Sequence, residues 1–154
     1  MDEILGFGEL KIGQGVKARG KWSEGNHFGA IEISVKPPAV DASIETTIQE
    51  VDHQNKTLGI FDRKVALPKE IKVNGPQDPP YALEDLRPGV TVKLKGKYSA
   101  EEGFLPDKIK VREARNFNID LLKGNIDDID RESKILNVAG FNIKISPKTI
   151  ISGL

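Results

Sequence analysis

The stretch GVTVKLKGK, residues 89–97, decides the fold because it has a near copy 76 positions earlier, GQGVKARGK at residues 13–21. In both copies apolar residues alternate with Lys or Arg, a period of two that is typical of a strand with one buried and one solvent-exposed face. When residues 9–35 are written over residues 85–111, ten of the 27 pairs are identical. The chain therefore contains an internal repeat.

A second pair of similar segments, residues 44–73 and residues 122–151, has nearly the same offset. Ile48, Asp52 and Lys56 of the first segment match Ile126, Asp130 and Lys134 of the second. The chain thus reads hairpin segment, three-strand segment, hairpin segment, three-strand segment. Only the two central segments follow one another as a complete unit.

Each hairpin segment predicts two strands, and each of the other segments predicts three short strands around a turn begun by Asp52 or Asp130, whose carboxylates can accept backbone N–H bonds. Ile44 and Ile48 share a parity that Val51 breaks, which predicts a bulge or a sharp bend. Gly124 is placed to allow the same bend in the second copy. YALEDLRPG, residues 81–89, is too short and too near a proline for more than a helical turn.

These elements predict an all-β protein of two OB-fold-like five-stranded barrels. Residues 43–112 form the continuous barrel, and residues 4–36 plus 119–154 form a discontinuous barrel of two N-terminal and three C-terminal strands. Because each separated half would expose unpaired edges, we expect the halves to close on each other within one chain, with Leu10 near Ile151. A monomer is favoured, and a swapped dimer is the alternative.

The pattern of an acidic turn, a T-L-x-I strand and D-L-x-P-G-x-x-V-x-L-x-G followed by x-I-x-V resembles an uncharacterised bacterial family of OB-like repeats that is frequent in exported proteins. The matching residues are Asp52, Thr57, Leu58, Ile60, Asp85, Leu86, Gly89, Val92, Leu94, Gly96, Phe104, Ile109 and Val111. The resemblance implies a domain of unknown function without a catalytic motif. It also implies a periplasmic or extracellular location.

The amino-acid composition argues against several classes of function. There are 23 basic and 23 acidic residues, so the whole molecule is not steered toward nucleic acid or anionic lipid, and there is no cysteine for a disulfide or thiolate site. The chain shows no signal peptide and no membrane span, so we expect a soluble protein. His27 and His53 lie in predicted turns without a partner at ligand spacing, and DDIDRES, residues 127–133, lacks the Gly and Glu of a calcium loop. We therefore expect no metal, no cofactor and no enzymatic activity.

The candidate ligand-binding residues lie on the polar face of the two hairpins, where each row of three cations is followed by an aromatic residue. They are Lys17, Arg19, Lys21, Trp22, Lys93, Lys95, Lys97 and Tyr98. Lysines on edge strands also protect against aggregation, and this is the simpler interpretation. The sequence predicts a non-enzymatic binding module whose ligand is a protein or a glycan in the cell envelope. The alternative is weak single-stranded nucleic-acid binding, in which cations follow the backbone and the aromatic rings stack on bases.

Overall fold

The computed structural model describes residues 3–4, 6–23, 27–68, 71–74, 86–112 and 119–153. These residues form β-strands and one 3-10 turn, Phe7–Glu9, and none of them belongs to an α-helix. The predicted all-β class is confirmed. Within the same residues there is no helix long and apolar enough to cross a membrane. Leu154 and residues 81–85, which include Asp85 and most of the expected helical turn, entered the sequence predictions but lie outside the described residues.

The strands are numbered in chain order. They are β1 (Glu3–Ile4), β2 (Gly15–Ser23), β3 (His27–Lys36), β4 (Ala42–Thr47), β5 (Glu50–Asp52), β6 (Thr57–Ile60), β7 (Arg63–Ala66), β8 (Lys72–Asn74), β9 (Thr91–Ser99), β10 (Gly103–Arg112), β11 (Asp120–Asp130), β12 (Ile135–Val138) and β13 (Phe141–Gly153).

Five strands from the two ends of the chain close into a barrel. Its order is β11, β12, β13, β3 and β2, and pairing between β2 and β11 completes the ring. The pairing of β13 with β3 is parallel and sets Ile151 opposite Ile33, whereas the other four pairings are antiparallel. Phe28, Leu122 and Leu136 from these strands are fully buried. The opening hairpin and the closing strands therefore meet within one chain.

The central strands continue the same sheet and add a small second one. β4 pairs with β9, β9 with β10, and β10 runs parallel to β8. β5, β6 and β7 form a separate antiparallel sheet. Three strands were predicted for residues 44–73, and the structure has five, β4 to β8. The strands are interrupted at Ile48–Gln49 and again near Pro68. At the second position the proline has no N–H to donate to a sheet.

The closed barrel and the central strands are joined by antiparallel pairing between β4 and β11. Ile44 lies opposite Leu122, and both side chains are fully buried. Residues 44 and 122 are equivalent in the repeat, so the join has the reciprocal pattern of a symmetric dimer interface inside a single chain. It produces one continuous run of strands in the order β3, β2, β11, β4, β9, β10.

The two long hairpins have the same register. Val16 lies opposite Val35 in the first and Val92 lies opposite Val111 in the second. Each hairpin also has one register shift, beside Gly20 in the first and opposite Gly96 in the second. At these shifts the facing strand comes too close for a side chain.

The predicted bends are present in both copies. β4 stops before Ile48, and the pairing of β11 with β12 shifts between Ile126 and Asp128. Gly13 and Gly89, with φ of 95° and 93°, donate their N–H groups to the carbonyls of Ile126 and Ile48 at 2.9 Å. These two positions need the left-handed backbone that glycine adopts without a steric penalty.

Replacing Gly96 with alanine tests the close approach. A Cβ there would lie 2.0 Å from the Leu105 carbonyl oxygen, so backbone must move, and we expect a loss of about 2–3 kcal/mol in the free energy of unfolding measured with urea. Gly6→Ala is the control, because a Cβ at Gly6 meets nothing within 4 Å, and its cost should stay below about 0.5 kcal/mol. Equal unfolding midpoints for the two variants would contradict the structural role of Gly96.

Candidate ligand-binding sheet face

The two cationic stripes predicted from the sequence lie on one face of one sheet. β2 and β9, which carry them, are separated by β11 and β4. Lys123 of β11 lies opposite Lys17 on one side and Ser43 on the other, and Ser43 in turn lies opposite Lys95. A row of polar side chains therefore crosses four strands and connects stripes that are distant in sequence.

β10 extends this surface, because Lys108 lies opposite Lys95 and Lys110 lies opposite Lys93. We call the whole surface the basic face. Its cations are Lys17, Arg19, Lys21, Lys93, Lys95, Lys97, Lys108, Lys110, Arg112 and Lys123. A chain with a formal net charge of zero thus concentrates ten cations on one sheet surface, which makes that surface strongly electropositive.

Three carboxylates partly compensate the basic face. Glu32 lies 3.7 Å from Arg19 and Asp41 lies 3.8 Å from Lys95, both in exposed ion pairs that contribute little to stability. The side chain of Glu45 is only 5% exposed, and it accepts a hydrogen bond of 3.0 Å from the Arg112 guanidinium. Because a buried carboxylate needs a charged partner, this pair holds Arg112 across β9 onto the centre of the sheet.

Lys93 lies at the centre of the basic face, where its side chain is partly buried. Partial burial lowers the pKa of Lys93, and the nearby charges of Arg112, Lys123 and Lys95 lower it further, whereas Glu45 acts in the opposite direction. The pKa shift therefore reports mainly the partial burial of the Lys93 amine. An anion placed there would favour the charged form of the amine.

Trp22 lies at the end of its stripe, but its ring packs within the protein. The indole is stacked on Phe61 with ring centroids 5.0 Å apart, and it meets Phe141 edge-on at 6.2 Å. The indole N–H donates a hydrogen bond of 2.6 Å to Asp62. Phe61 and Asp62 form the β6–β7 turn with φ of 49° and 58°, so Trp22 fastens the closed barrel to the central strands.

Tyr98 occupies the related position on β9 and packs on a turn of the closed barrel. A Cβ added to Gly140, in the β12–β13 turn, would lie 2.9 Å from a Tyr98 ring carbon. Burial raises the pKa of the Tyr98 hydroxyl, and the charge of Asp127 raises it further. The two aromatic residues predicted as ligand contacts are thus packed between the two halves of the molecule.

A groove of about 250 Å³ lies on the basic face beneath the segment that leads into β4. Its walls are residues 39–43 together with Lys93, Lys95 and Lys123. The Asn125 side chain holds this segment in place, since its amide nitrogen donates to the Ala39 carbonyl at 2.7 Å and its oxygen accepts from the Ala39 N–H at 2.9 Å. The groove therefore has a fixed rim.

The side chains considered for metal binding serve local roles. Asp130 accepts N–H bonds from Ser133 at 3.2 Å and Glu132 at 3.1 Å, which lower the pKa of its carboxyl, and Asp52 binds Asn55 in the related turn. His27 contacts the Ser23 hydroxyl at 3.3 Å. Across the residues that the structure describes, no three His, Asp or Glu side chains are grouped to hold a metal ion.

Sequence reasoning missed the residues at the centre of the basic face. Lys123 sits in the alternating stretch LLKGN, which does indicate that it points outward from its strand. The sequence holds no signal that β11 pairs with β4, and only this pairing places Lys123 and Ser43 between the two predicted stripes.

A Trp22→Ala variant should lose stability rather than a ligand contact. Removing the half-buried ring from its stack with Phe61 should cost about 2–4 kcal/mol in urea unfolding. The neighbouring exposed residue offers a control, Lys21→Ala, which should change stability by less than about 0.5 kcal/mol. If Trp22→Ala changed the free energy of unfolding by less than about 0.5 kcal/mol as well, the indole would not hold the closed barrel to the central strands.

No protein-family model matches the chain, and the comparisons with curated proteins and with solved structures give no match either. We therefore infer function from the arrangement of the side chains.

Proposed function

We propose that the protein is a non-enzymatic binding module that holds an anionic glycan on the basic face. The observation that carries this proposal is the continuity of the face, because Lys123 and Ser43 join the β2 stripe to the β9 stripe. Neighbouring strands are about 4.8 Å apart and alternate residues on a strand about 7 Å apart, so the cations form a regular lattice. Such a lattice suits an extended chain with repeated negative charges.

The packing of the aromatic residues favours a glycan over single-stranded nucleic acid. Binders of single strands gain about 1–3 kcal/mol per base from stacking on exposed rings. Trp22 already stacks on Phe61, and Tyr98 packs against the β12–β13 turn. Of the outward residues at the centre of the sheet, Lys123, Ser43 and Thr47 offer an ammonium group and hydroxyl groups instead of an aromatic ring.

The module is proposed to consist of two OB-like units, one closed and one with interrupted strands. The ring order β11, β12, β13, β3, β2 has a single parallel pair, as expected where the third strand of an OB barrel meets the fifth. The central strands follow the same order if β4 with β5, and β7 with β8, each count as one broken strand. The resemblance to exported OB-like repeats leads us to propose a place in the cell envelope.

Binding to polygalacturonate, a uronic-acid polymer, tests this function. We expect binding at low salt that weakens steeply as salt rises, because the attraction is between charges. The variant Lys17→Glu/Lys95→Glu/Lys123→Glu should lose it. A control that reverses lysine charges elsewhere, Lys56→Glu/Lys64→Glu, should keep most of it, since both lysines are exposed in the separate sheet of β5, β6 and β7 or in its turn.

Three further probes separate the alternatives. Fully methyl-esterified polygalacturonate keeps the sugar backbone without the charge and should bind at least about tenfold more weakly. Oligo(dT) binding about tenfold more tightly than polygalacturonate would favour the nucleic-acid alternative, and tight binding of poly-glutamate alone would favour a protein ligand. A protein that binds none of the charged polymers would rule out the proposed function.

Anion binding should also be coupled to proton uptake by Lys93. The pKa of Lys93 is lowered in the free protein, and a bound anion restores it toward the ordinary value, so affinity should fall as pH rises through the lowered pKa. Calorimetric titration with polygalacturonate at alkaline pH, in two buffers of different ionisation heat, would measure the uptake. Lys93→Arg, which keeps its proton, should abolish it, while Lys95→Arg should not. Identical uptake in the two variants would contradict the assignment to Lys93.

A further inference from the structure

We propose that the groove around Ser43 is an anchoring subsite that takes one carboxylate of the glycan between Lys95 and Lys123. This inference rests on the proposed function and adds the position at which the ligand is fixed. It distinguishes one built site from a diffuse positive surface.

The strand register places three suitable groups around one point. Ser43 lies directly opposite Lys95 of β9 and directly opposite Lys123 of β11. With strands about 4.8 Å apart, a carboxylate above the Ser43 hydroxyl is within reach of both ammonium groups from opposite sides. Lys93 is the next outward residue of β9 and lines the same groove. Two charged donors and one hydroxyl donor can thus bind a single carboxylate, which is the strong kind of hydrogen bonding.

The rim of the groove is preorganised. Asn125 makes two hydrogen bonds to the backbone of Ala39, and the preceding residues Pro37 and Pro38 limit the freedom of the chain. Asp41, at 3.8 Å from Lys95, holds that lysine beside the groove in an exposed pair that an incoming carboxylate can replace. A rim that is already ordered does not have to be ordered when the ligand binds.

The related position across the join cannot hold an anion in this way. The repeat that relates the halves places Leu121 where Ser43 stands and Glu45 where Lys123 stands, and these two residues lie opposite each other. Glu45 is buried and bonded to Arg112. One row across the join thus offers a hydroxyl between two lysines, whereas the other offers an apolar side chain beside a carboxylate. The asymmetry indicates a single subsite rather than a repeated one.

Titration with galacturonate monomer, followed by the amide NMR signal of residue 43, tests the subsite in the 154-residue chain. We expect Ser43→Ala to weaken binding several-fold and Lys123→Gln to weaken it about tenfold, as for the loss of a charge-assisted hydrogen bond. Lys110→Gln removes the same charge from β10, two strands away from Ser43, and should change the binding of galacturonate monomer less than about twofold, although Lys110 belongs to the face proposed to hold the polymer. Galactose, which lacks the carboxylate, should leave the Ser43 signal unmoved.

The outcome separates this inference from the proposed function. If galacturonate binding falls equally in Lys123→Gln and Lys110→Gln while Ser43→Ala has no effect, the basic face acts as a diffuse field and the subsite is overturned, but polygalacturonate binding by the unaltered protein still supports the binding module. Galactose binding as strongly as galacturonate would also overturn the subsite. Weaker galacturonate binding in Ser43→Ala and Lys123→Gln, but not in Lys110→Gln, supports it.

Discussion

The pairing of β4 with β11 is the interaction on which the rest of the structure depends. It is short, with three residue pairs centred on Ile44 and Leu122, yet it turns two separate sets of strands into one sheet. It fixes the distance between the cationic stripes and buries β4 and β11 between the closed barrel and the central strands. It also brings Trp22 onto a turn of the central strands and Tyr98 onto a turn of the closed barrel. Without it, the lysines of β2 and those of β9 would belong to unrelated surfaces.

Much of the fold could be predicted from the sequence because the alternating segments repeat. Period-two patterns around Val16 and Val92 indicated strands, the acidic residues Asp52 and Asp130 indicated turns, and the order of similar segments indicated that the ends of the chain meet. The division of residues 44–73 into five strands could not be predicted. The break at Ile48 is where the chain passes from one sheet to the other, since Gln49 donates its N–H to Gly59, and Pro68 has no N–H to donate. The same pattern in residues 122–151 tolerates a bulge instead of a break.

The candidate site was predicted only in part, for a physical reason. Alternation shows which side chains leave a strand on the polar face, and it identified six cations of the basic face in advance. It does not show which strands become neighbours, so Lys123, Ser43 and the cations of β10 were missed. The aromatic residues show the opposite limit: Trp22 ends a polar stripe in the sequence, but the position of its ring was decided by Phe61 and Asp62, which are about 40 residues away in the chain.

The pairing of β3 with β13 has a consequence for the nascent chain during its synthesis on the ribosome. At a synthesis rate of about 5–20 residues per second, the roughly 100 residues between β3 and β13 keep the first hairpin waiting for about 5–20 s before β13 is synthesised. During that interval both of its edges are open to pairing with other nascent chains. The charges of Lys17, Arg19 and Lys21 disfavour such pairing. The same charges that are proposed to bind a ligand in the folded protein therefore protect the hairpin from aggregation until synthesis of the chain is complete.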